Sequence, residues 1–236
     1  MIVLVDADSL VWSSCYRQKE HPDDDGYHTI DDAKVKFDEV FMKIINTIEE
    51  KYEVEKVITF SGARGNFRKQ ISKTYKANRI KREVPEILYE LHEYVIQAYD
   101  SISGKGVETD DIVATYWKNL TDTFGRNEVL IVSIDKDYKQ LPCIIYNYHS
   151  KHQCYYDISE EDAKRNFYTQ MISGDTSDNV NFCKGYGEAY CRKAFVGCSS
   201  HYSYIRAVFT LYQKIHKRKA RERFIECHLL LKLKTN

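Results

Sequence analysis

Ile2-Val3-Leu4-Val5-Asp6-Ala7-Asp8-Ser9 sets an unbroken, mostly β-branched apolar run directly against two carboxylates. A run without polar alternation suits a strand buried on both faces, the kind found in a parallel sheet flanked by helices. Asp6 then stands at the carboxyl end of that strand. From Asp31 to Tyr52 the residues Val35, Val40, Phe41, Ile44, Ile45 and Ile48 recur at helical spacing, and Lys56 to Phe60 again reads as strand, which completes a βαβ unit. Pro85 opens a further helix to about Ala98, with Ile87, Leu88, Leu91 and Val95 on one face. Asp110 to Leu120 predicts another helix, Val129 to Ile134 a strong strand, and Ile144 to Tyr148 and Cys154 to Tyr156 weaker ones.

Strands alternating with helices predict an α/β fold with a doubly wound, mostly parallel sheet. From about Ser159 onward no convincing strand occurs, so the chain divides into an α/β core over 1–158 and a helical region over 159–236. A length of 236 residues suits one large domain with an appendage better than two full domains. Basic and acidic residues balance at 35 each, so bulk charge excludes no partner and the distribution of charge has to carry that argument. Seven cysteines without a C-x-x-C pair fit a reducing compartment, with the cytoplasm as the expectation, and argue against a disulfide framework or a zinc site. No window approaches the roughly 18 apolar residues of a membrane span, and no membrane partner is expected.

Acidic residues gather where strands stop or helices start: Asp6 with Asp8; Glu108 with Asp110 and Asp111; Asp135 with Asp137; Asp175 with Asp178. Singly, each is an ordinary N-cap, turn or first-turn residue. In an open α/β sheet, however, the carboxyl ends of the strands line one crevice, and groups distant in sequence meet there. Carboxylates crowded into one cleft repel each other and raise one another's pKa unless cations neutralise them. Oxygen donors suit Mg²⁺ or Mn²⁺. Two such ions roughly 3.5–4 Å apart would activate water and stabilise both oxygens of an in-line phosphoryl displacement.

Between Gly62 and Arg82 there are eight basic residues, Arg64, Arg68, Lys69, Lys73, Lys76, Arg79, Lys81 and Arg82, and no acidic one. Such a run is often a solvated face. Phe67 and Tyr75 interleave with the cations, a composition that holds phosphates and stacks bases. Because the segment follows the second strand, it would overhang the carboxylate cleft as a short basic arch over about 62–84, with Lys76 and Arg79 facing the scissile phosphate. A second stretch, Lys214, Lys217, Arg218, Lys219, Arg221 and Arg223, reads equally well as a solvated helix or a duplex contact.

With these residues in place, the chain resembles the flap endonuclease superfamily of 5′ nucleases, in the pattern of bacteriophage 5′-exonucleases and the 5′-nuclease domain of bacterial DNA polymerase I. The likeness runs in order from Ile2 to about residue 197. Leu4-Val5-Asp6-Ala7-Asp8-Ser9, Phe60 to Arg68, Tyr75-Lys76-Ala77-Asn78-Arg79, Gly106 to Asp111, Ser133 to Asp137 and Gly174 to Val180 are similar to the family's successive motifs. Gly185-Tyr186-Gly187 resembles the hairpin of a helix-three-turn-helix.

The resemblance implies a PIN-like core and a metal-ligand set of Asp6, Glu108, Asp110 and Asp135, with Asp111 and Asp137 nearby and Asp175 and Asp178 at a second metal. It implies catalytic roles for Lys76 and Arg79. DNA contacts would come from Arg64, Arg68, Lys69, Lys73, Tyr75, Lys184, Gly185 and Gly187, the glycines letting backbone N–H groups approach a phosphate. A K⁺ ion at the hairpin is part of the family pattern. The implied activity is 5′-to-3′ exonuclease and flap endonuclease cleavage of branched, nicked or 5′-ended DNA, and of RNA in RNA–DNA hybrids. A monomer in the cytoplasm of a bacterium, or of a phage's host, is expected.

Two departures stand out. Ser61 occupies the position where the family places an Asp, and Asn181-Phe182 replaces the expected Pro-Gly after Val180. Ser61 to Glu108 is also only 47 positions, short for a complete two-helix arch. Two other readings stay open on the sequence: a catalytically impaired protein that binds junctions as a replication accessory, supported by Ser61, and an RNA-cleaving nuclease with a related cleft.

Overall fold

The computed structural model describes residues 1–17, 21, 26–79, 85–149, 151 and 153–235. Lys81, Arg82 and the remainder of 80–84 in the expected arch lie outside the described residues. In chain order the elements are β1 (Ile2–Asp6), α1 (Asp8–Cys15), α2 (Ile30–Glu49), β2 (Lys56–Phe60), α3 (Arg68–Ile71), α4 (Glu86–Ala98), α5 (Thr109–Phe124) and β3 (Val129–Val132). A 3₁₀ turn over Lys136–Gln140 precedes β4 (Ile144–Asn147) and β5 (Cys154–Asp157). The rest is helical: α6 (Glu160–Ser173), α7 (Glu188–Ala194), α8 (His201–His216) and α9 (Ala220–Leu231).

The five strands lie in the order β2-β1-β3-β4-β5, all parallel except the β4–β5 pair. β1 sits between β2 and β3, with Val3 beside Val57 on one side and Leu130 on the other. That position explains its unbroken apolar run: Val3, Leu4 and Val5 are buried on both faces, each contributing roughly 1.5–3 kcal/mol by burial. Val3 and Val5 pack under α1, α2 and α4. Leu4 and Ile131 face α5 through Val113, Ala114 and Trp117. Helices on both faces establish the doubly wound architecture, and strand order reverses between β1 and β3, the point where ligands bind in such sheets.

The sequence expectations for β2, α2, α4, α5 and the weaker strands match within a few residues. Helices α1 and α3 are additions to those expectations. In α1, Leu10, Val11, Ser14 and Cys15 are all buried, leaving too little polar contrast along eight residues for the pattern to declare itself. The helices after Ser159 have their own core of Phe167, Met171, Tyr204, Val208, Leu211 and Tyr212. It is joined to the sheet through Ile158 and Ala163, and Tyr75 from the basic segment is buried within it. Gly174, at φ +77°, ends α6 where a Cβ would come within 2.3 Å of the Val180 carbonyl oxygen, so only glycine fits there.

Candidate active site

Asp6 leaves β1 at the reversal point and Asp135 follows β3, so the two strands deliver carboxylates to one edge. Asp110 arrives from the first turn of α5. Oxygens of Asp110, Asp135 and Asp137 lie within 4.8 Å of one another, close enough to share one cation. Asp6 is held beside them by Tyr138 Oη at 2.8 Å and Ser133 Oγ at 3.4 Å. Burial and the charges of Asp8 and Asp135 push Asp6 up to about 7. Burial together with Asp135 and Asp175 also pushes Asp137 up to about 7. Burial and the neighbouring carboxylates likewise raise Asp110 and Asp135. Four acids thus share a site where ionisation of each opposes that of the others, the condition a divalent cation relieves.

A second group of acids has protein cations for partners. Glu108 accepts from Lys76 Nζ, from Tyr75 Oη at 2.9 Å and from Arg68 at 3.0 Å. Asp178 accepts from Tyr75 Oη at 2.6 Å, with Arg79 at 3.3 Å and Lys76 at 3.4 Å. Burial alone would raise Asp175, but Lys136 Nζ at 2.8 Å, Ser177 and Gln170 outweigh it and hold the carboxyl at about 2. Gln170 on α6 also donates to Asp137 at 2.8 Å and so ties the two groups together. Lys76 is thereby ion-paired to Glu108 and Asp178, and Arg79 to Asp178.

Three expectations need correction. Arg68 was expected to touch DNA, yet it is 2 % exposed and bonded to Asp111 and Glu108. Asp111 was expected near the metals, but both its oxygens are taken by Arg68, and they also accept from the Lys234 and Glu108 backbone N–H groups. Tyr75 was expected to stack on bases; it is 3 % exposed, and its hydroxyl bridges Glu108 and Asp178. In all three cases the partner that fixes the role lies far away in sequence: Glu108 and Asp111 for Arg68, Arg68 for Asp111, and Glu108 and Asp178 for Tyr75.

Ser61 is fully buried, its hydroxyl 2.7 Å from His92 Nδ1 and 3.3 Å from Asp8. Asp8 also accepts from Gly62 N–H at 2.8 Å and Thr109 Oγ1 at 2.6 Å, so it pins the loop after β2 to the start of α5. Ser61 is thus built into a hydrogen-bonded brace. His92, Tyr138, Ser133, Lys136 and Gln170 escaped the sequence reading. Only Lys136, between two predicted ligands, carried a signal that could have found it.

Arg64, Lys69, Lys73 and Lys184 are exposed, with Arg64 3.3 Å from Glu93. The 14 residues between α6 and α7 contain Gly185, at φ +90°, and Gly187, extended at the start of α7; a Cβ at either would meet open space. Phe182 closes this hairpin in place of Pro-Gly, its ring stacked near Tyr212 and its carbonyl 2.8 Å from His216 Nε2. Lys214 lies over Tyr186 and Arg223 over Phe182, so the second basic stretch adjoins the hairpin.

The chain is similar to a 5'-3' exonuclease of Mycoplasmopsis pulmonis, 31 % identical over 163 residues, which are 63 % of this chain and 52 % of that protein. A 5'-3' exonuclease of Buchnera aphidicola subsp. Acyrthosiphon pisum is 28 % identical over 155 residues, 59 % of this chain and 52 % of that protein. The chain thus spans about half the length of these relatives. In fold it resembles the bacteriophage T5 flap endonuclease, solved as a pseudo-enzyme–product complex with DNA and metal ions, with a TM-score of 0.69 and 17 % identity over 99 % of this chain and 89 % of that one. The catalytic core of Rad2 in complex with DNA substrate gives a TM-score of 0.53 and 15 % identity over 97 % of this chain and 73 % of that one. Residues 1–175 match the family described as 5'-3' exonuclease, N-terminal resolvase-like domain, and the chain belongs to that family.

Proposed function

We propose that this chain is a divalent-metal-dependent 5′ nuclease that hydrolyses phosphodiester bonds near the 5′ ends, nicks and flaps of DNA, with RNA strands of hybrids as a further substrate. The observation that carries the reading is the convergence of Asp110, Asp135 and Asp137 beside Asp6, in a pocket that supplies those four acids with mutual repulsion and few protein cations. Oxygen-only donors fit Mg²⁺ or Mn²⁺. Glu108, whose charge helps to raise Asp110, borders this set as a further ligand, and Asp175 and Asp178 form a second acidic group suited to a second ion. When bound, the ions supply the charge that activates water and stabilises the attacking and leaving oxygens.

The chain's own residues then do the rest. Lys76 and Arg79, ion-paired to Glu108 and Asp178, supply the positive charge that would meet the scissile phosphate. Tyr75 and Gln170 keep the acids oriented by hydrogen bonds that need no rearrangement. Lys184, Gly185 and Gly187, with Lys214 and Arg223 beside them, grip the duplex backbone, while Arg64, Lys69 and Lys73 line the path of the 5′ strand. Among the described residues no base-reading constellation accompanies these contacts, which favours recognition of ends and branches over sequence. The test is a substrate series of 5′-flap, nicked, 5′-recessed and RNA–DNA hybrid duplexes, each with Mg²⁺, Mn²⁺ or chelator. Metal-dependent release of short 5′ products from at least the DNA members is expected, and inertness of all four with both metals would refute the reading.

A further inference from the structure

Among the described residues Arg68 is the largest fully buried side chain, and all five of its N–H donors are used. Nε donates to the Leu230 carbonyl at 3.0 Å and Nη2 to the Lys232 carbonyl at 2.9 Å. Two parallel bonds of 2.6 and 2.8 Å run to Asp111, and the last donor reaches Glu108 at 3.0 Å. The two carbonyls lie more than 160 residues from Arg68, on the turn that ends α9 and the strap after it. The strap is itself fastened. Lys234 N–H donates to Asp111 Oδ1 at 3.0 Å, and Leu233 N–H and the Leu231 carbonyl both bond Gln140. Lys234 Nζ lies 3.9 Å over the ring of Phe67, the residue before Arg68.

We propose that Arg68 is a positioning residue for Glu108, and that residues 230–234 hold it in position. The helical region would then build part of the metal centre from behind, besides contacting DNA. The inference rests on the reading of Glu108 as a metal ligand. Arg68 is suited to this because its planar fork fixes direction: two bonds lock the guanidinium to Asp111 and two carbonyls lock its far edge, so the fifth donor points at one oxygen of Glu108. Lysine has three donors on a flexible stem and cannot satisfy five acceptors. Partners that orient a ligand from behind change metal affinity by about 10–100-fold when removed.

Arg68→Lys keeps the charge and removes the fork. Lys234→Pro removes the N–H that reaches Asp111, whereas Lys234→Ala keeps that N–H and removes only the cation over Phe67. Mn²⁺ affinity, measured by calorimetry on the full chain, should fall about 10-fold or more for Arg68→Lys and measurably for Lys234→Pro, and stay within twofold of wild type for Lys234→Ala. Circular dichroism and duplex affinity without metal should be retained, and raising Mn²⁺ should restore the maximal cleavage rate. Wild-type Mn²⁺ affinity in Arg68→Lys overturns the inference. So does a folded variant whose lost cleavage is not recovered by excess Mn²⁺. If Arg68→Lys fails to fold, the contrast between Lys234→Pro and Lys234→Ala decides, and equal Mn²⁺ affinities in those two overturn it. Glu108→Gln serves as reference: if it binds Mn²⁺ like wild type, the metal-ligand reading of Glu108 has failed, whereas a deficit there with none in Arg68→Lys defeats the positioning role alone.

Discussion

Asn179 donates its side-chain amide to the Thr74 carbonyl at 2.8 Å across 105 residues of chain. Lys76 N–H to the Asp178 carbonyl at 2.9 Å and Asn78 Nδ2 to the Thr176 carbonyl at 2.7 Å extend the clasp. The basic turn that carries Lys76 and Arg79 is thereby fixed to the loop that carries Asp175 and Asp178. Asn179→Gly removes the amide and tolerates the residue's φ of +57°. It should cost about 1 kcal/mol, roughly 2–4 °C in Tm, and slow single-turnover cleavage several-fold. Unchanged melting and cleavage would make the clasp dispensable.

Tyr75→Phe separates the two roles considered for this residue. Loss of the hydroxyl leaves the buried Asp178 Oδ2 without that donor, whereas Glu108 keeps Arg68 and Lys76, at a cost of about 1–3 kcal/mol in chelator. Duplex affinity should stay within twofold, because the ring never reaches solvent. A 10-fold loss of DNA binding in a normally stable variant would return Tyr75 to base stacking.

Much of the fold was legible because it depends on local pattern: β1 declares itself by four apolar residues in a row, and α2 and α4 by helical spacing. Those acids of the site that follow strands or open helices were legible for the same reason. Arg68, Tyr75 and Asp111 were not, since their roles are set by partners that only folding brings near, such as the Leu230 and Lys232 carbonyls for Arg68. Gln170 sits inside a helix with no special spacing, and nothing in its neighbours foretells that it links Asp137 to Asp175.

Asp137 is one of four raised acids, with Asp6, Asp110 and Asp135, that make the stability of the metal-free protein depend on pH. Its folded value of about 7 lies above the ordinary carboxylate value of 3.8. The stability it contributes is therefore complete below about 4 and is lost as pH rises through about 7. In chelator, Asp137→Asn should melt above wild type at pH 8, by roughly 2–4 °C per kcal/mol gained, and the advantage should shrink toward pH 5. Added Mn²⁺ should stabilise wild type more than the variant at pH 8. An Asn variant less stable than wild type in chelator at pH 8 would contradict the crowding of carboxylates.

Salt dependence tests the DNA surface. The logarithm of duplex affinity should fall linearly with the logarithm of salt, at about −0.9 per phosphate neutralised. Lys69→Ala, Lys73→Ala and Lys184→Ala should each weaken binding and make the slope shallower by about one. A variant with the wild-type slope places that residue outside the contact surface.

Cleavage of a 5′-flap duplex by Asp135→Asn, measured beside duplex affinity, bears most directly on the convergence of the acids. The substitution nearly preserves shape and removes one charge from the group formed with Asp110 and Asp137. The expected result is a loss of at least about 1,000-fold in single-turnover rate, about 4 kcal/mol of transition-state stabilisation, with duplex Kd within about twofold. Cleavage by this variant at the wild-type rate, in the same Mg²⁺, would contradict it.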